Sequence, residues 1–211
     1  MAFLFFFIHH NTLDTEHQGL VFQALIDCVE DKFGNGRDAF LSLKNDWSNV
    51  LTSVDSHSPE KLRCTAICIG YLMRDLPWTS IRVNFPRRTN NEEAVIPQWF
   101  AVLTLAYHDP ALGFSTADFT MVFKCIVRAT SDKLGLAILF VESGLVEFLN
   151  GLYPIKSDHD FALHAGLILE SIGPCWSSVP DGLDWKHLRQ SADSLARELE
   201  LIKLKNPRSG L

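Results

Sequence analysis

The chain has 211 residues, 47% of them hydrophobic and 21% charged, which is enough for one domain with a buried core. Its net charge of −6 argues against a surface built for polyphosphate, because nucleic-acid binding draws most of its free energy from clustered Lys and Arg. Five cysteines, Cys28, Cys64, Cys68, Cys125 and Cys175, are odd in number and scattered through mostly apolar stretches, so a reducing intracellular compartment, cytoplasmic or nuclear, is expected.

Met1 to Ile8 is almost wholly apolar, but a helix needs about 20 such residues to cross a bilayer. The basic flank and small-residue cleavage site of a signal peptide are not seen around it. Residues 1–14 are read as an apolar segment, docked or frayed, and no membrane insertion is expected. Thr15 with Gln18 then makes a capping-box pattern. The helix it opens carries Leu20, Val21, Ala24, Leu25, Cys28 and Val29 at spacings of three and four and stops near Gly34.

From Arg37 the pattern predicts a short helix through Ala39, Phe40 and Leu43, a second through Val50, Leu51 and Val54, and a third opened by Ser58-Pro59-Glu60. Cys64 to Met73 is apolar on nearly every side, as in a helix enclosed between neighbours. Leu76 to Asn91, with Pro77, Pro86, Arg87 and Arg88, shows no sustained helical period and reads as a surface loop. Helix resumes at Glu92 through Leu105, turns at Asp109-Pro110, and reopens at Ser115-Thr116 through Val127. Ser131-Asp132 is expected to cap a helix ending at Glu142, Ser143-Gly144 to turn, Leu145 to Leu152 to form a short helix, and Ser157 with Asp160 to cap a long one reaching Ile172. Residues 174–181 read as a linker and 206–211 as a tail. Between them lies an amphipathic helix over 182–205, whose Leu188, Ala192, Leu195, Leu199 and Ile202 draw a narrow apolar seam. The seam fits a terminal helix laid over its neighbours, with self-association through 188–202 as the alternative.

Three stretches of this chain look alike. Val50-Leu51-Thr52, Val102-Leu103-Thr104 and Phe148-Leu149-Asn150 lead respectively to Arg63-Cys64-Thr65-Ala66, Val122-Phe123-Lys124-Cys125 and Leu163-His164-Ala165. The run Leu139-Phe140-Val141-Glu142-Ser143-Gly144-Leu145-Val146-Glu147-Phe148-Leu149 resembles the armadillo-repeat pattern of an aliphatic helix end, a Glu-x-Gly turn and a Leu-rich second helix. HEAT-type helix pairs and a non-repeating helical bundle fit the same residues. The resemblance implies an all-α chain: a right-handed superhelix of three to four repeats over 15–173, each of about 40 residues, with 182–205 as a capping helix. It covers the third stretch best and requires insertions in the first interval, since Thr65 and Lys124 lie 59 apart but Lys124 and His164 only 40. In this family the third helices line a concave binding face.

Chemical motifs are sparse. Gly113-Phe114-Ser115-Thr116-Ala117 resembles a loosened nucleophile elbow, but Asp109-Pro110-Ala111-Leu112 is not the strand that motif needs, and Ser115 reads as a helix cap. A serine hydrolase using Ser115 is a remote alternative. Cys64 and Cys68 stand one helical turn apart without a second ligand pair, so no metal is expected. His159, Asp160 and His164 read as a capping acid beside exposed histidines, and His9-His10 lies at the terminus. No cofactor is expected.

If Ala66, Cys125 and Ala165 are equivalent inward-facing residues, Thr65, Lys124 and His164 stand in one row, with Lys61, Thr120 and Asp160 one turn earlier and Arg128 one turn later. The expectation is a non-enzymatic scaffold binding a protein or extended peptide along Lys61, Thr65, Thr120, Lys124, Arg128, Asp160 and His164. The nuclear-import adaptors of the family carry a repeated Trp-x-x-x-Asn pair, which Trp47-Ser48-Asn49 does not match, so import cargo is not implied. The alternative is a structural subunit whose apolar ends dock into a larger assembly.

Overall fold

The computed structural model describes residues 58–84, 94–152, 159–177 and 185–205, with short helical pieces at 24, 26–27 and 50–51. Among them the fold is all-helical: α1 (Pro59–Asp75), α2 (Trp78–Asn84), α3 (Val95–His108), α4 (Thr116–Asp132), α5 (Leu134–Glu142), α6 (Leu145–Gly151), α7 (His159–Ser171) and α8 (Trp185–Lys205), with 3₁₀ turns at Pro110–Leu112 and Gly173–Ser177. The N-terminal segment 1–14, the Thr15 cap, the helix through Phe40, Arg87 and Arg88, and the tail 206–211 lie outside the described residues. The chain divides into two compact units, 1–115 and 116–211.

In the first unit α1 begins as its sequence dictates. Ser58 stands in extended backbone and its Oγ accepts from the Lys61 amide at 3.2 Å, while Pro59 takes a position where no intrahelical N–H is needed. The helix ends at Leu76, because the residue before a proline, here Pro77, is driven out of the α region. Every residue from Cys64 to Met73 is buried, so α1 is enclosed all round, as expected. α3 packs against it, and the fully buried Trp99 donates its indole Nε1–H to the Ala66 carbonyl at 2.9 Å. That carbonyl has a second lone pair, so the indole is satisfied without breaking the helix.

The stretch 76–91 is not all loop. The Pro77 carbonyl accepts from Ser80 and Ile81 at 3.0 and 3.1 Å and starts α2, which buries Ile81 completely. Seven residues give too little periodicity to reveal such a helix in the sequence. α3 begins at Val95 rather than Glu92, with Pro97 inside the first turn, where its missing N–H costs nothing. Asp109 ends α3, and its Oδ1 accepts from Ala111 at 2.9 Å to open the 3₁₀ turn.

In the second unit α4 runs to Asp132, five residues beyond the expected Val127. Ser131 and Asp132 therefore end α4 instead of capping α5, whose N-cap, Lys133, makes no side-chain cap bond. The turn at Ser143-Gly144 is as expected. Gly144 takes φ +95°, a left-handed conformation that side chains with a Cβ rarely adopt, and lets α6 leave α5 at 61°. The expected linker is partly the Gly173–Ser177 3₁₀ turn.

α4 lies against α7, α5 against the Gly173–Ser177 turn, and α6 against α8, while α7 also packs on α8. Two side-chain bonds tie these layers. Thr130 Oγ1 on α4 and Ser171 Oγ on α7 are 2.5 Å apart, and Asn150 Nδ2 on α6 donates to Ser191 Oγ on α8 at 2.8 Å; each joins residues 41 apart. The core between them holds Phe123 stacked on Phe148, with Phe140, Leu136, Ile126 and Ile168 fully buried.

Candidate functional site

Ala66, Cys125 and Ala165, the residues expected to face inward, are all buried. The polar row beside them divides between the two units, Lys61 and Thr65 in the first, Thr120, Lys124, Arg128, Asp160 and His164 in the second. Thr65 corrects the expectation: it is buried within the enclosed α1 and does not meet solvent. A threonine can sit there because its hydroxyl can bond a carbonyl of its own helix, so a polar residue in an apolar helix is not by itself a wet side. Lys61 is half-buried in the first turn of the same helix.

On α4 the arrangement is closer to the one expected. Thr120, Lys124 and Arg128 recur every four residues and so share one face of the helix. Thr120 is half-buried, whereas Lys124 and Arg128 are exposed. Arg128 Nε lies 3.6 Å from Asp132 Oδ2, with both side chains mostly in solvent, a pairing worth little against the two side chains' rotamer entropy. His164 is half-buried on α7, the helix that packs against α4. Asp160 lies in the first turn of α7, and its side chain is outside the described residues.

Among the described residues, those weighed for catalysis or metal binding are not brought together into a centre. Ser115 is exposed immediately before α4, and no strand leads into it among the described residues. Cys64 and Cys68 are buried with their Sγ atoms 4.0 Å apart, and no group of three metal-ligating side chains occurs among the described residues. Cys175 is buried in the 3₁₀ turn, and burial pushes its thiol from 9.0 up to about 11, the opposite of what a nucleophilic cysteine needs.

A cleft that the sequence reading did not anticipate opens between α7 and α8. It has a volume of about 640 Å³, within the usual range of ligand-sized clefts. Leu167, Leu169 and Gly166 line it from α7, Ala192, Ala196 and Leu201 from α8, and Trp176 from the 3₁₀ turn. Glu170, Asp193, Arg197 and Glu200 also line it, three carboxylates to one guanidinium. Its sequence signal is Leu167 on α7 and, off the apolar seam of α8, Leu201. No single described helix is long and apolar enough to cross a membrane.

Comparison with known proteins leaves the assignment to this geometry. Neither a protein-family model, a characterised protein nor a solved structure matches the chain.

Proposed function

We propose that the chain is a non-enzymatic interaction module, an armadillo-like or HEAT-like stack of helices that holds a protein or extended peptide. The observation that carries this reading is the layered packing of the second unit, α4 on α7, α5 on the Gly173–Ser177 turn and α6 on α8, tied twice across 41 residues. A repeat of about 40 residues stacking on its successor would place like elements side by side in this way. The binding face on this reading carries Thr120, Lys124 and Arg128 of α4 with His164 and Asp160 of α7, all in the second unit.

Lys124 and Arg128 supply its attraction. They are four residues apart on the exposed side of a well-packed helix, so their positions are fixed by the scaffold while their charges remain in water. Their partner would present carboxylates between apolar or neutral groups. The test is affinity capture from native lysate with wild type and the Lys124→Glu/Arg128→Glu variant, whose exposed sites leave folding intact by circular dichroism. Loss of most of the captured partner is expected, and equal recovery would remove this face from the assignment.

A further inference from the structure

We infer that the cleft between α7 and α8 is a docking groove for an amphipathic helix of a partner protein, one that presents leucine-type side chains flanked by Lys or Arg. The groove lies wholly within the second unit and shares no lining residue with the face proposed above.

Its floor and walls differ from a polar surface depression. Gly166, Ala192 and Ala196 are small and leave room between the helices, while Leu167 and Leu201 line the cleft 40% and 55% exposed. One turn further on each helix stand Leu163, 37% exposed, and Leu204, 74% exposed. Of the large apolar residues left exposed among the described residues of this unit, these four belong to α7 and α8, and only Leu134 lies elsewhere. Leu163 with Leu167 and Leu201 with Leu204 are exposed pairs at i,i+4 and i,i+3, of which Leu167 and Leu201 line the cleft and the other two extend the apolar surface beyond its lining, a spacing that suits the ridge of a third helix. Along α8 the lining runs from Ala192 to Leu201, about 13 Å at roughly 1.5 Å per residue, or two to three turns of a bound helix.

Charge selects the occupant. Glu170, Asp193 and Glu200 line the cleft together with one basic residue, Arg197, whose Nε donates to the Asp193 carbonyl oxygen at 3.2 Å. A ligand helix with basic residues beside its leucines would meet these carboxylates as its apolar side displaces water from Leu167, Leu201 and Trp176. A second copy of this chain, with its net charge of −6, is the poorer match.

The experiment uses the full chain and a fluorescein-labelled synthetic peptide of about four helical turns, with leucines at i, i+3, i+4 and i+7 and lysines elsewhere, read by anisotropy. Saturable binding is expected, and it should weaken as salt is raised. A peptide of the same composition with its leucines scattered around the helix, and one with glutamates replacing the lysines, should each bind about tenfold more weakly or not at all. Leu167→Asp and the Glu170→Lys/Asp193→Lys pair should each weaken binding by about tenfold, Arg197→Ala should tighten it a few-fold, and Lys124→Glu on α4 should leave it unchanged. All these side chains are at the surface, so circular dichroism should match wild type. Absence of binding, equal binding of the three peptides, insensitivity to Leu167→Asp, or a dimer in sedimentation that Leu167→Asp dissociates would overturn the proposal. Because the α4 variant is read in the same titration, failure here is distinguishable from failure of the α4 face.

Discussion

Helices α1 and α7 are both rich in apolar residues, yet they end in different surroundings. α1 buries every residue from Cys64 to Met73, including a threonine, whereas α7 buries Ala162, Ala165, Ile168 and Leu169 and leaves Leu163 and Leu167 in solvent. Apolar composition is thus a poor guide to enclosure. A helix is buried all round only when it has neighbours on all sides, whereas α7 keeps one flank beside an open cleft. Surface of this second kind is what a binding protein keeps for others.

This contrast can be broken most directly at the enclosed helix. Trp99→Ala deletes a fully buried indole that fills space beside α1 and bonds Ala66, and a loss of about 3–5 kcal/mol in urea unfolding is expected. A loss under 1 kcal/mol would mean that α1 is less tightly enclosed than it looks. Next in size is Thr130→Val, which keeps the shape but removes a hydroxyl bonded to the Ile126 carbonyl at 2.8 Å and paired with Ser171. About 1–2 kcal/mol should be lost, and Ser171→Ala in the same background should add little, a non-additivity that a double-mutant cycle reads.

The 3₁₀ turn that follows α7 offers a third test, through pH. Cys175 is buried beside Trp176, and its folded pKa is raised above the unfolded value of 9.0 to about 11. The thiol form is favoured in the folded state, so this stability is fully present below pH 9 and declines as pH rises from 9 to 11. Comparison with Cys175→Ala across that window should show wild type losing the steeper share, and the native thiol should react slowly with a disulfide reagent at pH 8. Parallel curves would show that the surroundings of Cys175 are wetter than its burial implies. The smallest effect is expected at the open flank itself. Leu167→Ala should change stability by less than about 1 kcal/mol, because a side chain 40% exposed loses only part of its transfer free energy.

What could be read from the sequence follows the same division. Local signals translated well: Ser58-Pro59 opens α1, Gly144 makes the turn, and the seam of α8 buries Ala192, Leu195 and Leu199 where that helix packs on α6 and α7. Such signals act over one or two turns and need no knowledge of neighbours. α2 was hidden because seven residues between two prolines carry no period, and the end of α4 was misplaced because Ser131-Asp132 has the chemistry of a cap whether or not a helix begins there. Thr65 was taken for a wet residue because sequence cannot show what packs on a helix's second flank. The cleft was invisible for a related reason. Reading α8 for its seam accounted for Leu188 to Ile202 and left Leu201 and Leu204 as surplus, although surplus leucines on adjacent helices are what an unfilled groove consists of.

The turn at Gly144 has a further consequence. Drawn out straight, residues 134–151 would make an apolar rod of about 27 Å, close to the roughly 30 Å depth of a bilayer's hydrocarbon interior. The left-handed backbone angle of one glycine folds that rod to 61° and turns both halves inward, so that Leu136, Phe140, Leu145 and Phe148 meet protein on every side. A side chain at position 144 would strain the bend that turns this stretch into the interior.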